Sequence, residues 1–488
     1  MTKGDNLGSC TVKFITELFL ILLAFGDGLV DSEILWTAPL GGRSGPAVAA
    51  EGQIVIGTNS PGIRGGTLLK CFDTKGTLQW QITHDRLPKR FQDLPGSPLM
   101  CRPTVDNGAV YYLNNRAELL SIDLKGFHDG VDDGLKQLGH RKKDADILWK
   151  LNFSKQFGVV KRDANDIGNP MCSPLVLNDL VYCVTSNGRP DIHKASAKEM
   201  SQYKEAPSFV AVDKKTGSIV WSCSLPSKDL LYGQWGTPAV VNIDGANQVI
   251  FPGGDGLLWA LAPDSGEVLW KFDCNLKEAT DWDANRGSRL FCSGRPLVIG
   301  EKIYLHLGQD AEMHKGVPGM ICCLDIRKAT AREDPVVWRK SSTHFSSVFT
   351  QIVRCGGSVV VSGFDKLFAF DIKSGNQLAD IQLSEPACFI SRPVVIKNHV
   401  FVASYDQLIE FELTQEEGFR QVNQTDFPTI AICSPVLLDS DKWVVGVQEK
   451  LLFFRHPFTL EQTKGQTKQL KRGQLKRGQA GLEANQSH

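Results

Sequence analysis

The chain has 488 residues, of which 42% are hydrophobic and 22% are charged, and its formal net charge is zero. A neutral chain has no general attraction for nucleic acid or for an anionic membrane surface, so we expect neither as a partner. No stretch reaches 18 uncharged apolar residues, and therefore no transmembrane span is expected once the N-terminal leader is removed.

The N-terminal segment has the layout of a secretory leader. Lys3 and Lys13 precede a short apolar stretch at residues 14–26, which runs into small residues. This order is typical of a signal peptide, so residues 1–28 are predicted to direct export to the periplasm or the extracellular space. Glu17 lies inside the apolar stretch and leaves a second interpretation open, in which the segment packs on the folded domain.

One sequence pattern recurs along most of the chain. Its clearest copy covers residues 209–221, where an apolar strand ends at Asp213, a turn follows at Thr216 and Gly217, and a second strand ends at Trp221. Upstream of most copies lie two further apolar runs, the first opened by proline. Each copy therefore predicts four short strands, and four strands per repeat of about 40–50 residues are typical of a propeller blade.

The repeated Asp, Gly and Trp residues are predicted to be structural. The Asp side chain can accept hydrogen bonds from turn amides, and Gly allows the positive φ that closes the turn. The Trp is expected between neighbouring blades, with its indole N–H bonded to a backbone carbonyl. The residues assigned to this docking role are Asp73, Trp80, Asp123, Trp149, Asp213, Gly217, Trp221, Trp270, Asp325, Trp338 and Asp371.

Counting the copies predicts an all-β fold, a propeller of eight four-stranded antiparallel blades over residues 33–460. Seven full units run from about residue 45 to 423, and an eighth stops one strand short. The segment at 33–40 carries Trp36 in the pattern of a fourth strand, so this N-terminal strand is expected to close the ring and remove the exposed sheet edges. Residues 461–488 have a basic, low-complexity sequence and are predicted to form a disordered tail.

The pattern A-x-D-x-x-T-G-x-x-x-W at residues 211–221 is similar to the tryptophan-docking motif of the pyrroloquinoline-quinone (PQQ) enzyme repeat. The chain thus resembles the PQQ-like propellers, and most of all the exported, planctomycete-type subgroup without an assigned reaction. The resemblance implies a quinoprotein alcohol dehydrogenase-like fold. That family includes dehydrogenases that use PQQ and Ca²⁺ and also non-catalytic members, such as an outer-membrane assembly lipoprotein.

The residues themselves do not establish a quinoprotein site. The PQQ alcohol dehydrogenases carry a vicinal disulfide, but Cys322 and Cys323 lie in a predicted strand, whose alternation points them to opposite faces. No catalytic or metal-ligating residue is predicted, because the loop carboxylates match no dehydrogenase motif. The loop carboxylates are Asp163, Asp166, Asp281, Asp283 and Asp310. PQQ and Ca²⁺ therefore rest on the resemblance alone.

A ligand site is predicted where the inner strands begin, around the central channel. The residues before each inner-strand proline are taken as Ser97, Ser173, Thr237, Arg295, Arg392 and Ser434. The arginines could clamp a carboxylate or phosphate, or could instead pair with a nearby Asp or face water-filled space. Trp235 could stack on a flat ligand or plug the channel. The candidate site comprises Arg295, Arg392, Trp235 and Gln234, with Asp166, Asn169 and Asp310 as its polar rim.

Three functions are compatible with the sequence. The first is a monomeric exported scaffold that binds an envelope protein or a polysaccharide at its loop face, and this is the one we expect. The alternative is a PQQ- and calcium-dependent quinoprotein dehydrogenase that oxidises an alcohol or sugar. The third, a hydrolase or lyase using channel carboxylates, has no motif in its favour.

Overall fold

The computed structural model describes residues 33–455, except for 64, 86–96, 160–171, 191–195, 232, 281–286, 293, 310–316, 346–350, 364, 384–391, 405, 430, 432 and 440–441. The described strands form eight antiparallel sheets of four strands, one of which carries an additional short strand. The predicted all-β, eight-bladed propeller is therefore confirmed. The predicted leader and basic tail lie outside the described residues.

The first four blades follow the repeat order, with the innermost strand first. Blade 1 consists of β2 (Ser44–Ala50), β3 (Gln53–Asn59), β4 (Thr67–Asp73) and β5 (Leu78–His84). Blade 2 consists of β6 (Thr104–Asp106), β7 (Ala109–Leu113), β8 (Glu118–Asp123) and β9 (Ile147–Asn152). Blade 3 consists of β10 (Leu175–Leu177), β11 (Leu180–Val184), β12 (Phe209–Asp213) and β13 (Ile219–Cys223). Blade 4 consists of β14 (Ala239–Ile243), β15 (Ala246–Pro252), β16 (Leu257–Leu261) and β17 (Val268–Asp273).

The remaining blades include the one with an extra strand and the one that joins the two ends of the chain. Blade 5 consists of β18 (Phe291–Cys292), β19 (Leu297–Ile299), β20 (Lys302–Gly308), β21 (Gly319–Asp325) and β22 (Val336–Ser342). Blade 6 consists of β23 (Gln351–Cys355), β24 (Ser358–Ser362), β25 (Lys366–Asp371) and β26 (Gln377–Gln382). Blade 7 consists of β27 (Val394–Ile396), β28 (His399–Ser404), β29 (Gln407–Thr414) and β30 (Gly418–Asp426). Blade 8 consists of β31 (Val436–Leu437), β32 (Lys442–Val447), β33 (Lys450–Arg455) and β1 (Glu33–Pro39).

Helices occur only in connections between the described strands. The α-helices are α1 (Phe153–Phe157), α2 (Ala197–Glu205) and α3 (Ile326–Thr330). Short 3₁₀ helices cover Gly126–His128, Ser227–Asp229 and Thr343–Phe345. Among the described residues, none of these helices has the length and apolar character needed to cross a membrane.

The N-terminal strand closes the ring, as predicted. Strand β1 pairs antiparallel with β33, and the Trp36 ring stacks on Phe453 with 4.9 Å between the ring centroids. The indole N–H of Trp36 donates to the carbonyl of Thr74 in blade 1, at 3.0 Å. The two ends of the described chain therefore share blade 8, and that blade docks on blade 1.

Most of the repeated tryptophans dock on the next blade. The indole N–H groups of Trp80, Trp149 and Trp221 donate to the carbonyls of Leu124, Lys214 and Pro263 at 2.7–2.9 Å. The ring of Trp149 lies over Gly217, whose φ is +70°. Glycine at this turn is therefore needed both for its backbone conformation and for the close approach of the ring.

Two tryptophans dock without this bond. Trp270 donates instead to the side-chain oxygen of Gln248 at 2.8 Å, and Trp338 has no indole partner among the described residues. In blade 5 the usual turn is replaced by α3, whose first amides donate to the carboxylate of Asp325. The expected carbonyl bond is thus a frequent feature of the docking contact but not a required one.

The turn aspartates Asp73, Asp213 and Asp371 accept backbone amides two to four residues ahead. Apolar side chains fill the spaces between successive sheets, and the cysteines of the described chain are buried and unpaired there. Cys322 packs with the core facing blade 4, whereas Cys323 packs on the opposite face of β21 with Trp338. The two thiols therefore point apart, in agreement with the alternation expected from the sequence.

The glycine under the docked indole can be tested with a matched pair of variants. Gly217→Ala places a Cβ about 2.6 Å from the Trp149 ring, whereas Gly245→Ala, at a φ of +85°, meets no atom within 4 Å. Both changes should cost about 1–2 kcal/mol from backbone strain, and the clash at Gly217 should add about 1–3 kcal/mol. We expect the lower melting temperature for Gly217→Ala in thermal unfolding. Equal melting temperatures would contradict the importance of this contact.

Candidate functional site: an arginine-lined axial channel

Six of the inner strands begin directly after a dipeptide in which Arg, Ser or Thr is followed by Pro. Strands β6, β19 and β27 follow Arg102, Arg295 and Arg392 respectively. Strands β10, β14 and β31 follow Ser173, Thr237 and Ser434 in the same register. The residue before proline is held in an extended conformation, so the repeat fixes the backbone at these positions.

These residues line one cavity on the propeller axis. Its volume is about 490 Å³, and it is lined by inner-strand residues of all eight blades. The residues at the start of each blade, in blade order, are Pro46, Arg102, Ser173, Thr237, Arg295, Gln351, Arg392 and Ser434. A cavity that every inner strand reaches is the mouth of the axial channel. The three arginines belong to blades 2, 5 and 7 and approach it from different sides.

The charges of Arg102 and Arg295 both act on the guanidinium group of Arg392. Burial lowers the pKa of Arg102, Arg295 and Arg392, and the pKa of Arg392 falls to about 10 because the charges of Arg295 and Arg102 add to the effect. Arg102 and Arg295 are exposed to solvent, and both line the channel. All three therefore remain cationic at neutral pH while their charges are crowded.

The channel provides little negative charge to balance the arginines. Among the described residues, none of the three arginine side chains forms an ion pair or a hydrogen bond. Asp106 is the acidic side chain in the described lining, and it pairs with Lys214 at 3.4 Å. The Ser434 hydroxyl accepts the backbone N–H of Arg392, so it helps to position that residue. Crowded cations without a carboxylate partner are suited to bind an anionic group.

The structure places the predicted site residues in three groups. Arg295 and Arg392 lie together in the channel. Gln234 and Trp235 are buried and do not line the described cavity. Gln234 donates to the carbonyl of Pro252 and accepts the amide of Gly254, while Trp235 meets Phe291 edge-on. The predicted rim residues Asp166, Asn169 and Asp310 lie outside the described residues.

Arg102 is the channel residue that sequence reasoning missed. The sequence predicts that the inner strand of blade 2 follows Ser97 and Pro98, but β6 begins at Thr104, after Arg102 and Pro103. The signal that identifies it is the dipeptide Arg-Pro, which recurs before the inner strands of blades 2, 5 and 7. Ser97 therefore does not occupy the predicted position in the ring.

A buried carboxylate, that of Asp255, follows directly after Gly254, whose amide donates to Gln234. Asp255 accepts the amide of Leu257 and the indole N–H of Trp259, each at 3.0 Å. The pKa of Asp255 is raised to about 7, mainly by burial and to a smaller extent by the charge of Asp229. Since both oxygens are engaged by neighbouring blade-4 groups, Asp255 supports the Gly254 turn that Gln234 contacts.

The comparisons with known proteins agree with this architecture. The PQQ_2 family model, described as outer membrane protein assembly factor BamB, matches residues 138–310. Over these residues, the repeats are similar to those of the PQQ_2 family. The predicted resemblance to this group is thereby confirmed. No curated protein matches the sequence.

Solved structures show the same fold at low sequence identity. The crystal structure of BamB from Moraxella catarrhalis has a TM-score of 0.53 and 11% identity, covering 88% of this chain and 99% of that one. A europium-containing methanol dehydrogenase has a TM-score of 0.54 and 12% identity, covering 87% and 93%. Sqt1 of Saccharomyces cerevisiae has a TM-score of 0.53 and 9% identity, covering 89% and 98%. At these identities the likeness shows the fold.

The described lining of this channel does not fit a quinone held over calcium. Ca²⁺ takes six to eight oxygen ligands, many of them carboxylates. The described channel mouth instead presents three guanidinium groups and one carboxylate, Asp106, which already pairs with Lys214. Three nearby positive charges would repel a divalent cation. Cys322 and Cys323 also point to opposite faces of β21, so the two side chains are not placed to contact the same quinone ring.

The pKa of Asp255 predicts a pH dependence of stability. Its pKa is near 3.8 when the chain is unfolded and about 7 when folded, so the folded state retains a proton that the unfolded state loses. The wild type should therefore lose stability relative to Asp255→Asn as the pH rises from about 4 to 7, with no further loss above that. Melting temperatures across this range test the expectation. The exposed control Asp264→Asn should follow the wild type, and parallel curves for all three proteins would refute it.

Proposed function

We propose that this propeller is an exported, non-catalytic binding module that holds an acidic group of an envelope protein in its axial channel. The observation that supports the proposal most is the convergence of Arg102, Arg295 and Arg392 in one cavity without a carboxylate partner among the described residues. Arginine forms planar, paired hydrogen bonds with carboxylates, so each guanidinium can take one acidic side chain.

The size of the cavity favours part of a larger partner. About 490 Å³ accommodates a few side chains, such as the tip of an acidic loop, with the rest of the partner resting on the surrounding face. The hydroxyl groups of Ser173 and Thr237 add neutral donors between the arginines. Such a mixed lining suits carboxylates, which accept hydrogen bonds from both groups.

The family description supports a protein partner and an envelope location. The matching family model is described as an outer membrane protein assembly factor, which is a role in handling other proteins. An acidic polysaccharide remains the other partner class, because it carries the same carboxylate chemistry. The two classes are separated by the binding experiment below.

The proposal is tested by removing the channel charges. We expect Arg102→Gln/Arg295→Gln/Arg392→Gln to weaken binding of an acidic peptide, such as poly-glutamate, by at least ~10-fold, since each lost charged hydrogen bond costs about 1.5–3 kcal/mol. Calorimetry on the purified chain measures the change, and the wild-type affinity should fall as salt is added. Parallel titrations with polygalacturonate and with neutral dextran separate an acidic polysaccharide from a non-specific polymer.

A matched control removes three positive charges elsewhere. Lys75, Lys215 and Lys373 lie exposed in the docking turns of blades 1, 3 and 6, so their triple change to Gln lowers the net charge equally. This control should bind the acidic peptide within about twofold of the wild type. Equal loss in both triple variants would mean that binding follows net charge, and the proposal would fail. Tight uptake of PQQ with Ca²⁺ and dye-linked alcohol oxidation would support the dehydrogenase instead.

A further inference from the structure

An acidic cluster lies in the long connection of blade 2, away from the channel. The connection between β8 and β9 carries Asp129, Asp132 and Asp133, and it is flanked by Asp123 at the end of β8 and by Asp146 just before β9. The blade-2 copy lacks the Thr-Gly turn of blade 3, and its longer connection brings these carboxylates together.

The geometry of three of these carboxylates matches a cation with long bonds to oxygen. One oxygen each from Asp123, Asp129 and Asp133 lies within 4.8 Å of the other two. Two oxygens on opposite sides of a Ca²⁺ ion are about 4.6–5.2 Å apart, because Ca–O bonds are about 2.3–2.6 Å. The three oxygens can therefore contact one calcium ion without a large movement of the chain.

A fourth carboxylate supplies an independent indication of a ligand. Asp146 is fully buried, and its Oδ1 has no hydrogen-bond partner. Its Oδ2 accepts the amide of Asp133 at 3.1 Å, which places the group against the acidic turn. Burial of an unpaired carboxylate oxygen costs free energy unless a cation or donor meets it.

The surrounding positive charge does not balance the cluster. Asp132 also has a buried oxygen without a partner, and its other oxygen lies 3.8 Å from the exposed ammonium of Lys136. The His128 ring turns away and bonds to the carbonyl of Gln79. Five carboxylates thus meet one exposed lysine.

We propose that Asp123, Asp129 and Asp133 form a calcium site in the blade-2 connection, next to the buried carboxylate of Asp146. All three provide oxygen, and neither sulfur nor imidazole nitrogen is involved, so the donor set favours a hard cation over zinc or copper. The irregular arrangement suits Ca²⁺ better than Mg²⁺, which demands near-ideal octahedral geometry. The site is separate from the arginine channel and does not depend on the function proposed for it.

The location of Trp80 provides a direct spectroscopic test. The indole N–H of Trp80 donates to the carbonyl of Leu124, next to Asp123, and its ring lies against Gly126. Terbium(III) replaces calcium in oxygen sites and luminesces when a nearby indole is excited. On the chelator-treated full chain, we expect saturable terbium luminescence that Ca²⁺ displaces, and a melting temperature that rises with Ca²⁺ concentration.

A matched pair of double variants separates a site from surface charge. Asp129→Asn/Asp133→Asn changes two exposed ligands and should weaken Ca²⁺ binding at least ~10-fold. It should also raise the melting temperature of the metal-free chain, since it relieves repulsion. The control Asp264→Asn/Glu267→Gln removes two exposed carboxylates from the corresponding turn of blade 4 and should bind Ca²⁺ like the wild type.

Each outcome decides the proposal. A calcium-dependent rise in melting temperature that is lost only in the Asp129/Asp133 variant supports the site. The proposal is overturned if the wild type shows no such rise, if both double variants lose it equally, or if Mg²⁺ at the same concentration produces the same shift. Asp146→Asn should also reduce the calcium affinity, because it removes a negative charge beside Asp133, and an unchanged affinity would show that Asp146 does not support the site.

Discussion

The propeller depends on one repeated contact, the docking of an indole from the outer strand of one blade onto the turn of the next. A buried Trp covers about 150–250 Å², which at about 25 cal/mol per Å² contributes about 4–6 kcal/mol. The indole hydrogen bond adds only about 1 kcal/mol. Burial therefore dominates, and this explains why Trp338 docks on Gly375 without a hydrogen-bond partner in the described chain. It also explains the glycine, because any Cβ would separate the two surfaces.

Ring closure turns this local contact into a functional geometry. Trp36 docks blade 8 on blade 1 in the same way as Trp149 docks blade 2 on blade 3. The ring of blades is therefore closed, and the inner strands surround one axis. Residues at one repeat position, far apart in sequence, then face a single cavity. Arg102 and Arg392 are separated by 290 positions, but the charge of Arg102 lowers the pKa of Arg392. The site is therefore a product of the repeat register.

The sequence predicted the blades and their closure because both depend on periodic local signals. It also placed Arg295 and Arg392 at one level, since Pro marks the start of the inner strand. It failed for Arg102 because two prolines, Pro98 and Pro103, compete for that role, and only the strand pairing of β6 decides between them. The burial of Gln234 and Trp235 depends on the packing of blades 4 and 5, which the local pattern does not contain.

The acidic connection of blade 2 shows how a repeat position can serve two purposes. Asp123 accepts the amide of Lys125, as the turn aspartates of other blades do, and its carboxylate also lies within 4.8 Å of those of Asp129 and Asp133. The same turn receives Trp80 from blade 1 at Gly126. A cation held by Asp123 would therefore stiffen the surface on which blade 1 docks. Calcium would then stabilise the blade 1–blade 2 interface as well as its own loop, because the docked indole and the ligand share one short turn.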